Sequence, residues 1–516
     1  MPGAGKTPTP LAKKRLAIIG NGMATCRLLD ELLARGATGR WDITVYGEEP
    51  GGTYNRVLLS KVLGGEAPDE IVTKDAAWFE ANGIRLRSGV TVKRLDTSRK
   101  VVETTAGHFD RYDAAVFATG SQPLVPAIEG ATVAGGELRP GVFVYRTMAD
   151  CLAMREHARG ASSAIVLGGG LLGLEAAKVL GDAGLHVTVV HARETLMNAQ
   201  LDPMAGEMLA RQMERFGIFI RLGRTIETVH GRARGADGDG PVNDVVLDDE
   251  PDEPNDGPVD GVTLDDDKRL PADMLVLACG VRPRVDVARA SGLPINKGII
   301  VNDALATEVP GVYALGECCE HRGQIYGVVA PAWEQAAVLA DVLTGSPAPA
   351  GQQARYQGSK LYVRLKVAGV DVATMGSMDP EFETDDVLEV VEQRRSSYRK
   401  LIMRDGKLVG AMLVGNTAAA ASLVQLFDRG DAMPADPLEA LCPGMVGAAA
   451  AGDERVVCNC NRVTEGTLKQ CIEAGSASVE AVGRACRAGT GCGSCKNDIA
   501  RLVARHAKPP PLVAVG

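Results

Sequence analysis

No apolar run in this 516-residue chain approaches the roughly 20 residues that a membrane-spanning helix needs. The leader, Met1 to Lys14, sets no apolar segment before its basic residues, which excludes the pattern of a secretory signal or anchor, so a cytoplasmic protein with no membrane partner is expected. Excess positive charge is also lacking. A net charge of −9 and an isoelectric point near 5.5 argue against a general nucleic-acid binder. Cysteine is not scarce, but 12 of them in a cytoplasmic chain read as thiols or metal ligands rather than a disulfide framework. Gly5-Lys6-Thr7 resembles the end of a phosphate loop, yet no strand precedes it and the earlier glycine is missing. A disordered tail is expected there. The length calls for three or four domains, each but the last large enough for its own core.

What is present begins with Lys14-Arg15-Leu16-Ala17-Ile18-Ile19-Gly20-Asn21-Gly22-Met23-Ala24-Thr25, which reads as strand, tight turn and helix. Gly20 and Gly22 let the backbone come close to a ligand, and the free amides at the helix start favour a pyrophosphate. After a second apolar run, Ile43 to Tyr46, Glu48 supplies a carboxylate for an adenosine ribose. Together these suggest FAD or NAD. Thr25 stands at the third glycine position, where it is expected to crowd helix against strand more than Gly or Ala would. The following stretch, Gly51 to Lys61, contains no cysteine pair, which argues against a disulfide relay beside the flavin. Arg56 and Lys61 lie either against the flavin and its phosphates or in solvent. Val116-Phe117-Ala118-Thr119-Gly120 is a buried strand ending in a small turn, with Thr119 and Gly120 placed for close approach to a ligand.

A second strand, glycine turn and helix appears at Ala164 to Glu175, with Gly168, Gly170 and Gly173 all in place. Two dinucleotide turns in one chain, about 150 residues apart, are far more specific than either alone. The next strand, Val187 to Val190, runs into His191-Ala192-Arg193, where an NAD site usually offers Asp or Glu. Without that acid, His191 and Arg193 leave room for a 2′-phosphate, unless Arg193 is simply exposed. Residues Gly231 to Asp267 are rich in Gly, Pro and Asp and read as a solvated loop. Order returns with Met274 to Gly280, a strand ending in small residues like Ala118-Thr119-Gly120. Thr307 to Glu317 follows, and its closing Gly316-Glu317 sets an acid beside a ribityl chain. Cys318, Cys319 and His321 come next, but adjacent cysteines chelate one metal poorly.

Residues Leu361 to Val414 alternate as short strands around turns, followed by a helical Ala418 to Asp428. The Ala- and Pro-rich Met433 to Gly452 reads as a tether. Beyond it, Cys458-Asn459-Cys460 and Cys492-Gly493-Ser494-Cys495 supply four thiolates from two loops, with helices near Thr464 to Ala474 and Asn497 to His506. Four thiolates hold either a zinc ion or a [2Fe-2S] cluster. A module this small has a marginal core, so ligation is expected to contribute to its folding. Cys471 and Cys486 read as core thiols. Arg455, Arg462, Lys469, Arg484, Arg487 and Lys496 give the module a basic surface that either steers an acidic partner or offsets cluster charge.

The order of motifs resembles the two-dinucleotide flavoproteins of the pyridine-nucleotide disulfide oxidoreductases, in the branch without the active disulfide. Gly20-Asn21-Gly22-Met23-Ala24, Tyr54-Asn55-Arg56, Leu59-Ser60-Lys61, Gly316-Glu317-Cys318 and Ala330-Pro331-Ala332-Trp333-Glu334-Gln335 resemble the flavoprotein half of NAD(P)H-dependent assimilatory nitrite reductases, which also occurs as the electron-transfer subunit of assimilatory nitrate reductases. The cysteine module resembles bacterioferritin-associated ferredoxin, which favours [2Fe-2S] over zinc. The resemblance implies an α/β, glutathione-reductase-like flavoprotein with a small α+β interface domain and a C-terminal helical [2Fe-2S] domain. The expected divisions are FAD-binding residues 1–125 and 283–346, NAD(P)H-binding residues 126–282, interface residues 352–432 and cluster residues 453–508. It implies FAD, NAD(P)H and [2Fe-2S] as cofactors, with Glu48 and Glu317 touching FAD. Lys61 and Glu175 are the candidates nearest the chemistry, although hydride transfer between cofactors needs no side-chain nucleophile or base. No sirohaem half is visible after the cluster module, so the chain is expected to reduce a separate terminal oxidoreductase, such as a nitrate reductase catalytic subunit, and not nitrite by itself. A reductase for another acceptor and a non-enzymatic redox sensor are the rivals.

Overall fold

The computed structural model describes residues 12–232, 256–346, 354–367, 369–442, 453–458, 461–490 and 495–507. Gly5-Lys6-Thr7, most of the acidic run, Pro347 to Gly351, the second half of the tether, Cys460 and Cys492 lie outside the described residues. The chain divides into two units, the first made of Met1–Arg56, Asp69–Gln122 and Arg282–Ser359, the second of Val57–Pro68, Pro123–Val281 and Lys360–Gly516.

The first unit is built on a five-stranded parallel sheet in the order Val312–Ala314, Ala114–Phe117, Lys14–Ile19, Trp41–Gly47, Arg85–Ser88. Lys14–Ile19 is central, with Ile18 opposite Val45 on one side and Val116 on the other. A central parallel strand is covered on both faces, which is why its apolar run is continuous rather than alternating. The helix Met23–Ala34 starts after Gly22 without a side-chain cap and buries Leu28, Leu29 and Leu32. The long helix Val329–Thr344 packs along it, and Arg35 Nε donates to Asp341 at 2.6 Å.

The second unit repeats the plan. Its parallel sheet runs Val142–Val144, Met274–Leu277, Ser163–Leu167, His186–His191, Phe219–Leu222, with Val166 between Val189 and Val276. Residues 57–68 belong with this unit and carry the short helix Leu59–Leu63. An antiparallel sheet follows in the order Tyr362–Val367, Val370–Gly376, Lys407–Val414, Ser397–Arg404, Asp386–Glu392. The helix Ala420–Arg429 covers it, with Leu423 and Val424 buried against Leu401 and Leu413. Lys400 reaches out of that sheet and is almost fully buried. Its ammonium lies 2.9 Å from Asp202, the residue that caps helix Pro203–Arg215 and also accepts from the Tyr398 hydroxyl at 2.9 Å. Buried charge of this kind persists only when paired and hydrogen-bonded.

The cysteine module follows. Strands Val456–Cys458 and Val463–Thr464 lead into helices Glu465–Glu473, Val479–Cys486 and Lys496–His506, the first two capped by the Thr464 and Ser478 side chains. Leu468, Ile472, Val482, Ile499 and Leu502 form a core that includes Cys458 and Cys495. The expected α/β architecture with a small sheet domain and a helical cysteine module is the one observed. No helix among the described residues is long and apolar enough to cross a membrane.

Candidate functional site

Each parallel sheet carries a glycine turn at the end of its central strand, and the two turns agree at their first two glycines. Gly20 has φ +109°, and a Cβ there would sit 2.2 Å from the Ala118 carbonyl oxygen. Gly168 has φ +125°, with the same 2.2 Å clash against the Ala278 oxygen. Only glycine fits either position. Two residues on, the situation reverses. Gly22 (φ −97°) and Gly170 (φ −83°) have ordinary backbone, and a Cβ added at either meets no protein atom within 4 Å. The protein itself does not require glycine there. Each turn opens on free space at an uncapped helix N-terminus, where amide donors and the helix dipole suit a pyrophosphate.

The turns differ at their third position. At Gly173 a Cβ would approach the Gly168 oxygen to 2.0 Å, so helix and turn are in contact. Thr25 does not crowd as expected: it is fully buried and its hydroxyl donates to the Gly20 oxygen at 2.7 Å. A hydroxyl thus fills the space and satisfies a carbonyl that the close-packed glycine version approaches with a bare helix.

Around the first turn, Glu48 follows the strand Trp41–Gly47 and is held by both terminal nitrogens of Arg284, one of them 2.9 Å away. Thr119 fixes that loop by donating to the Arg284 carbonyl at 2.5 Å, and Gly120 (φ +67°) faces open space. Gly316 (φ +81°) donates its amide to the buried Gln335 at 2.7 Å, and Glu317 accepts from Ser121 at 2.6 Å. Arg56 is neither loose nor solvated. It pairs with Glu49 at 2.6 Å and lies 4.9 Å from the centre of the Tyr54 ring, whose hydroxyl donates to the same Glu49 at 2.6 Å. Sequence reasoning singled out neither Glu49 nor Arg284. Both are charged residues in loops with no periodic signal, and only the fold brings them to their partners. Cys318 and Cys319 turn their thiols to the Leu315 oxygen (3.3 Å) and to Gln335 (3.6 Å), while His321 pairs with Asp303 at 2.9 Å.

Around the second turn, Glu175 lies in the helix Leu171–Asp182, and burial pushes its carboxyl up to about 7. Lys61 is half-exposed and pairs with Glu66 at 3.0 Å, so the structure gives it a local acid as partner. His191 ends its strand with Nε2 3.2 Å from Asn198, and burial lowers its pKa. Arg193 is exposed and makes no side-chain hydrogen bond or ion pair among the described residues. Gly280 (φ +101°) opens on free space like Gly120.

In the cysteine module Cys458 closes a strand and Cys495 stands at the N-terminus of helix Lys496–His506, where the dipole favours a thiolate. Both are buried. Asn461 Nδ2 lies 3.8 Å from the Cys458 sulfur and donates to the Arg487 oxygen at 2.6 Å, tying the two loops together. Cys460 and Cys492 are outside the described residues, and no three acid, histidine or cysteine side chains converge on a metal position among those described. Cys458 and Cys495 belong to one buried cluster.

Residues 14–336 match the pyridine nucleotide-disulphide oxidoreductase family, 362–430 the rubredoxin NAD+ reductase C-terminal domain, and 456–505 the BFD-like [2Fe-2S] binding domain. The chain is similar to the nitrite reductase [NAD(P)H] of Bacillus subtilis strain 168, 36% identical over 494 residues, and to that organism's assimilatory nitrate reductase electron transfer subunit, 34% identical over 491. Each alignment covers 94% of this chain but only 57% and 59% of the relative, so the chain spans well under two thirds of their length. Among solved structures, the covalent putidaredoxin reductase-putidaredoxin complex superposes with a TM-score of 0.69 at 21% identity, covering 86% of this chain and 99% of that one. That likeness concerns the fold.

Proposed function

Because the chain belongs to the pyridine nucleotide-disulphide oxidoreductases, we propose that it is the NAD(P)H-dependent reductase component of an assimilatory nitrate or nitrite system in the cytoplasm. It takes a hydride from NAD(P)H at its flavin and hands electrons singly through the [2Fe-2S] module to a separate terminal oxidoreductase. FAD, NAD(P)H and the cluster supply the redox chemistry; the protein sets distance, orientation and exclusion of water. The observation that carries this is the pair of open glycine turns at Gly22 and Gly170 in a chain that also matches a [2Fe-2S] binding domain.

In this reading FAD occupies residues 1–125 and 283–346, held at Gly20, Gly22, Glu48, Arg56, Thr119, Gly120, Gly316 and Glu317. NAD(P)H occupies 126–282, at Gly168, Gly170, Gly173, Glu175, His191, Arg193 and Gly280, with Lys61 and Glu175 nearest the chemistry. Residues 352–432 form the interface domain, and 453–508 hold the cluster through Cys458, Cys460, Cys492 and Cys495. Glu48 can serve a ribose while paired, since a carboxylate has lone pairs beyond the two that Arg284 occupies. The similarity to an electron transfer subunit supports a nitrate or nitrite acceptor over a monooxygenase ferredoxin, and a cluster module within the chain already supplies what a separate ferredoxin would.

The test is a visible spectrum with flavin and iron counts, taken anaerobically before and after NAD(P)H. Bound FAD, a pair of irons per chain and bleaching of both chromophores are expected. Zinc in place of iron, or a flavin that bleaches while the cluster stays oxidised, would sink the proposal.

A further inference from the structure

The residue between the first two glycines differs at the two turns, and the difference is reciprocal. The Gly20 amide donates to the Tyr46 oxygen and the Gly168 amide to the Val190 oxygen, both at 2.8 Å, so the next residues along those strands, Gly47 and His191, hold equivalent places. At the first turn the middle residue carries the side chain, and a Cβ on Gly47 would lie 2.8 Å from the Asn21 Cβ. At the second the strand carries it, and a Cβ on Gly169 would lie 2.8 Å from the His191 Cγ. Asn21 is also aimed. Its Oδ1 accepts from the Thr53 hydroxyl at 2.8 Å, and Thr53 is fully buried with no other acceptor for that hydrogen among the described residues. Turning the amide over would strand a buried hydroxyl hydrogen. With Oδ1 taken, Nδ2 presents two hydrogens that meet no acceptor among the described residues. The side chain is half-exposed, adjoins the open space at Gly22, and sets Nδ2 3.5 Å from where a Gly47 Cβ would stand, at the corner that leads into Glu48.

We propose that Asn21 is a cofactor-binding residue whose Nδ2 donates to the FAD pyrophosphate, and that Thr53 is the positioning residue that turns this donor toward it. The inference rests on the flavin reading of the first turn and adds a side-chain donor to the backbone amides there. A pyrophosphate brings oxygen acceptors and negative charge, which a pair of amide hydrogens satisfies and a carboxylate would repel. Glycine at 47 belongs to the same device, because any side chain there would displace Asn21. The second turn has no counterpart. His191 and Leu196, the latter 2.6 Å from any Cβ added at 169, leave room only for glycine as its middle residue.

The Kd for FAD is measured on the full chain by dilution into buffers of graded FAD content, for the wild type, Asn21→Asp, Asn21→Gly, Thr53→Val and Thr53→Ser. Thermal midpoints in saturating FAD are taken alongside. Asn21→Asp keeps the shape and the bond from Thr53 but puts a negative charge where the donor was, so its Kd should rise most. Asn21→Gly copies the middle residue of the second turn and should raise Kd at least about tenfold, as for a hydrogen bond to a charged group. Thr53→Val should weaken binding and Thr53→Ser should restore it. In the weakened variants the phosphorus resonances of bound FAD should move while the visible flavin spectrum keeps its form, a pattern that general loosening of the site would not give. Asn21→Asp and Asn21→Gly that bind FAD as tightly as the wild type overturn the inference and leave the flavin reading standing. Weakened binding with lowered midpoints and unmoved phosphorus resonances also overturns it, since Asn21 would then only hold the turn together. A wild-type chain that binds no FAD overturns the inference and the flavin reading together.

Discussion

Arg193 stands two residues past the end of a strand that closes on His191 where an NAD site usually offers an acid, and no acid neutralises its guanidinium among the described residues. An acid there would repel a 2′-phosphate; an unpaired arginine offers it a charge-assisted hydrogen bond. Arg193→Ala should therefore lower kcat/KM for NADPH by about five- to 150-fold, the ~1 to 3 kcal/mol of such a bond, and leave NADH use unchanged. Parallel kinetics with both nucleotides checks this, and equal losses would remove the role. Glu175 gives a different signature. Its carboxyl is raised from the ordinary 4.5 to about 7 by burial, so the fold favours the neutral acid. Below pH 4.5 folded and unfolded chains both hold the proton. As pH rises to 7 the unfolded state ionises first, and stability falls by about 3 kcal/mol at most before levelling off. Glu175→Gln cannot ionise, so its thermal midpoint should gain on the wild type between pH 5 and 8 and match its trend below pH 4.5. A difference independent of pH would mean that Glu175 stays charged, stabilised by a group not yet identified. Both residues were legible in the sequence as positions, one by the missing acid and one by the glycine turn. The partners of Glu48 and Arg56 were not, because a loop arginine or glutamate carries no period.

At the scale of the turn, the structure separates glycines the fold demands from glycines it leaves unconstrained. Gly20 and Gly168 are fixed by carbonyls 2.2 Å from any added Cβ, so replacing them tests folding only. Gly22 and Gly170 have ordinary φ and empty surroundings. A valine at either is compatible with the chain alone and conflicts only with something bound against the turn. Gly22→Val should yield folded protein without yellow colour. Gly170→Val should keep its flavin and weaken nicotinamide binding, read as a raised KM for NAD(P)H with normal reduction of the flavin by dithionite. Full flavin occupancy in Gly22→Val would reassign the first turn. The strand, turn and helix order made both elements readable from sequence, since a buried parallel strand must be apolar throughout and its turn must be small. Thr25 was misread because side-chain volume was weighed without the hydroxyl's bond to the Gly20 oxygen, which makes the larger residue an asset. The antiparallel strands 362–414 were legible through their turns, whereas the Lys400–Asp202 pair that fastens this sheet to helix Pro203–Arg215 joins residues far apart in sequence and left no trace there.

For the whole molecule the question is whether electrons must pass through the cysteine module to leave. The module has its own core, distinct from those beneath the glycine turns, so its metal site can be damaged without touching either nucleotide sheet. Cys495→Ser is the informative change. Serine keeps the size of the side chain and the helix start, but an alkoxide is a far poorer ligand than a thiolate for iron, and cluster content should fall sharply. The variant should retain FAD and reduce ferricyanide with NAD(P)H at close to the wild-type rate, because a small acceptor meets the flavin directly. Transfer to the proposed terminal oxidoreductase should drop by at least two orders of magnitude, since a missing relay lengthens the electron's path rather than weakening a contact. Measuring both rates and iron on one preparation makes the comparison internal. If the iron-free variant still serves the terminal enzyme at full rate, the flavin is itself the exit and the module is a docking domain. If both activities fall together with the iron, the module's fold supports the flavin site, and the independence of these cores fails.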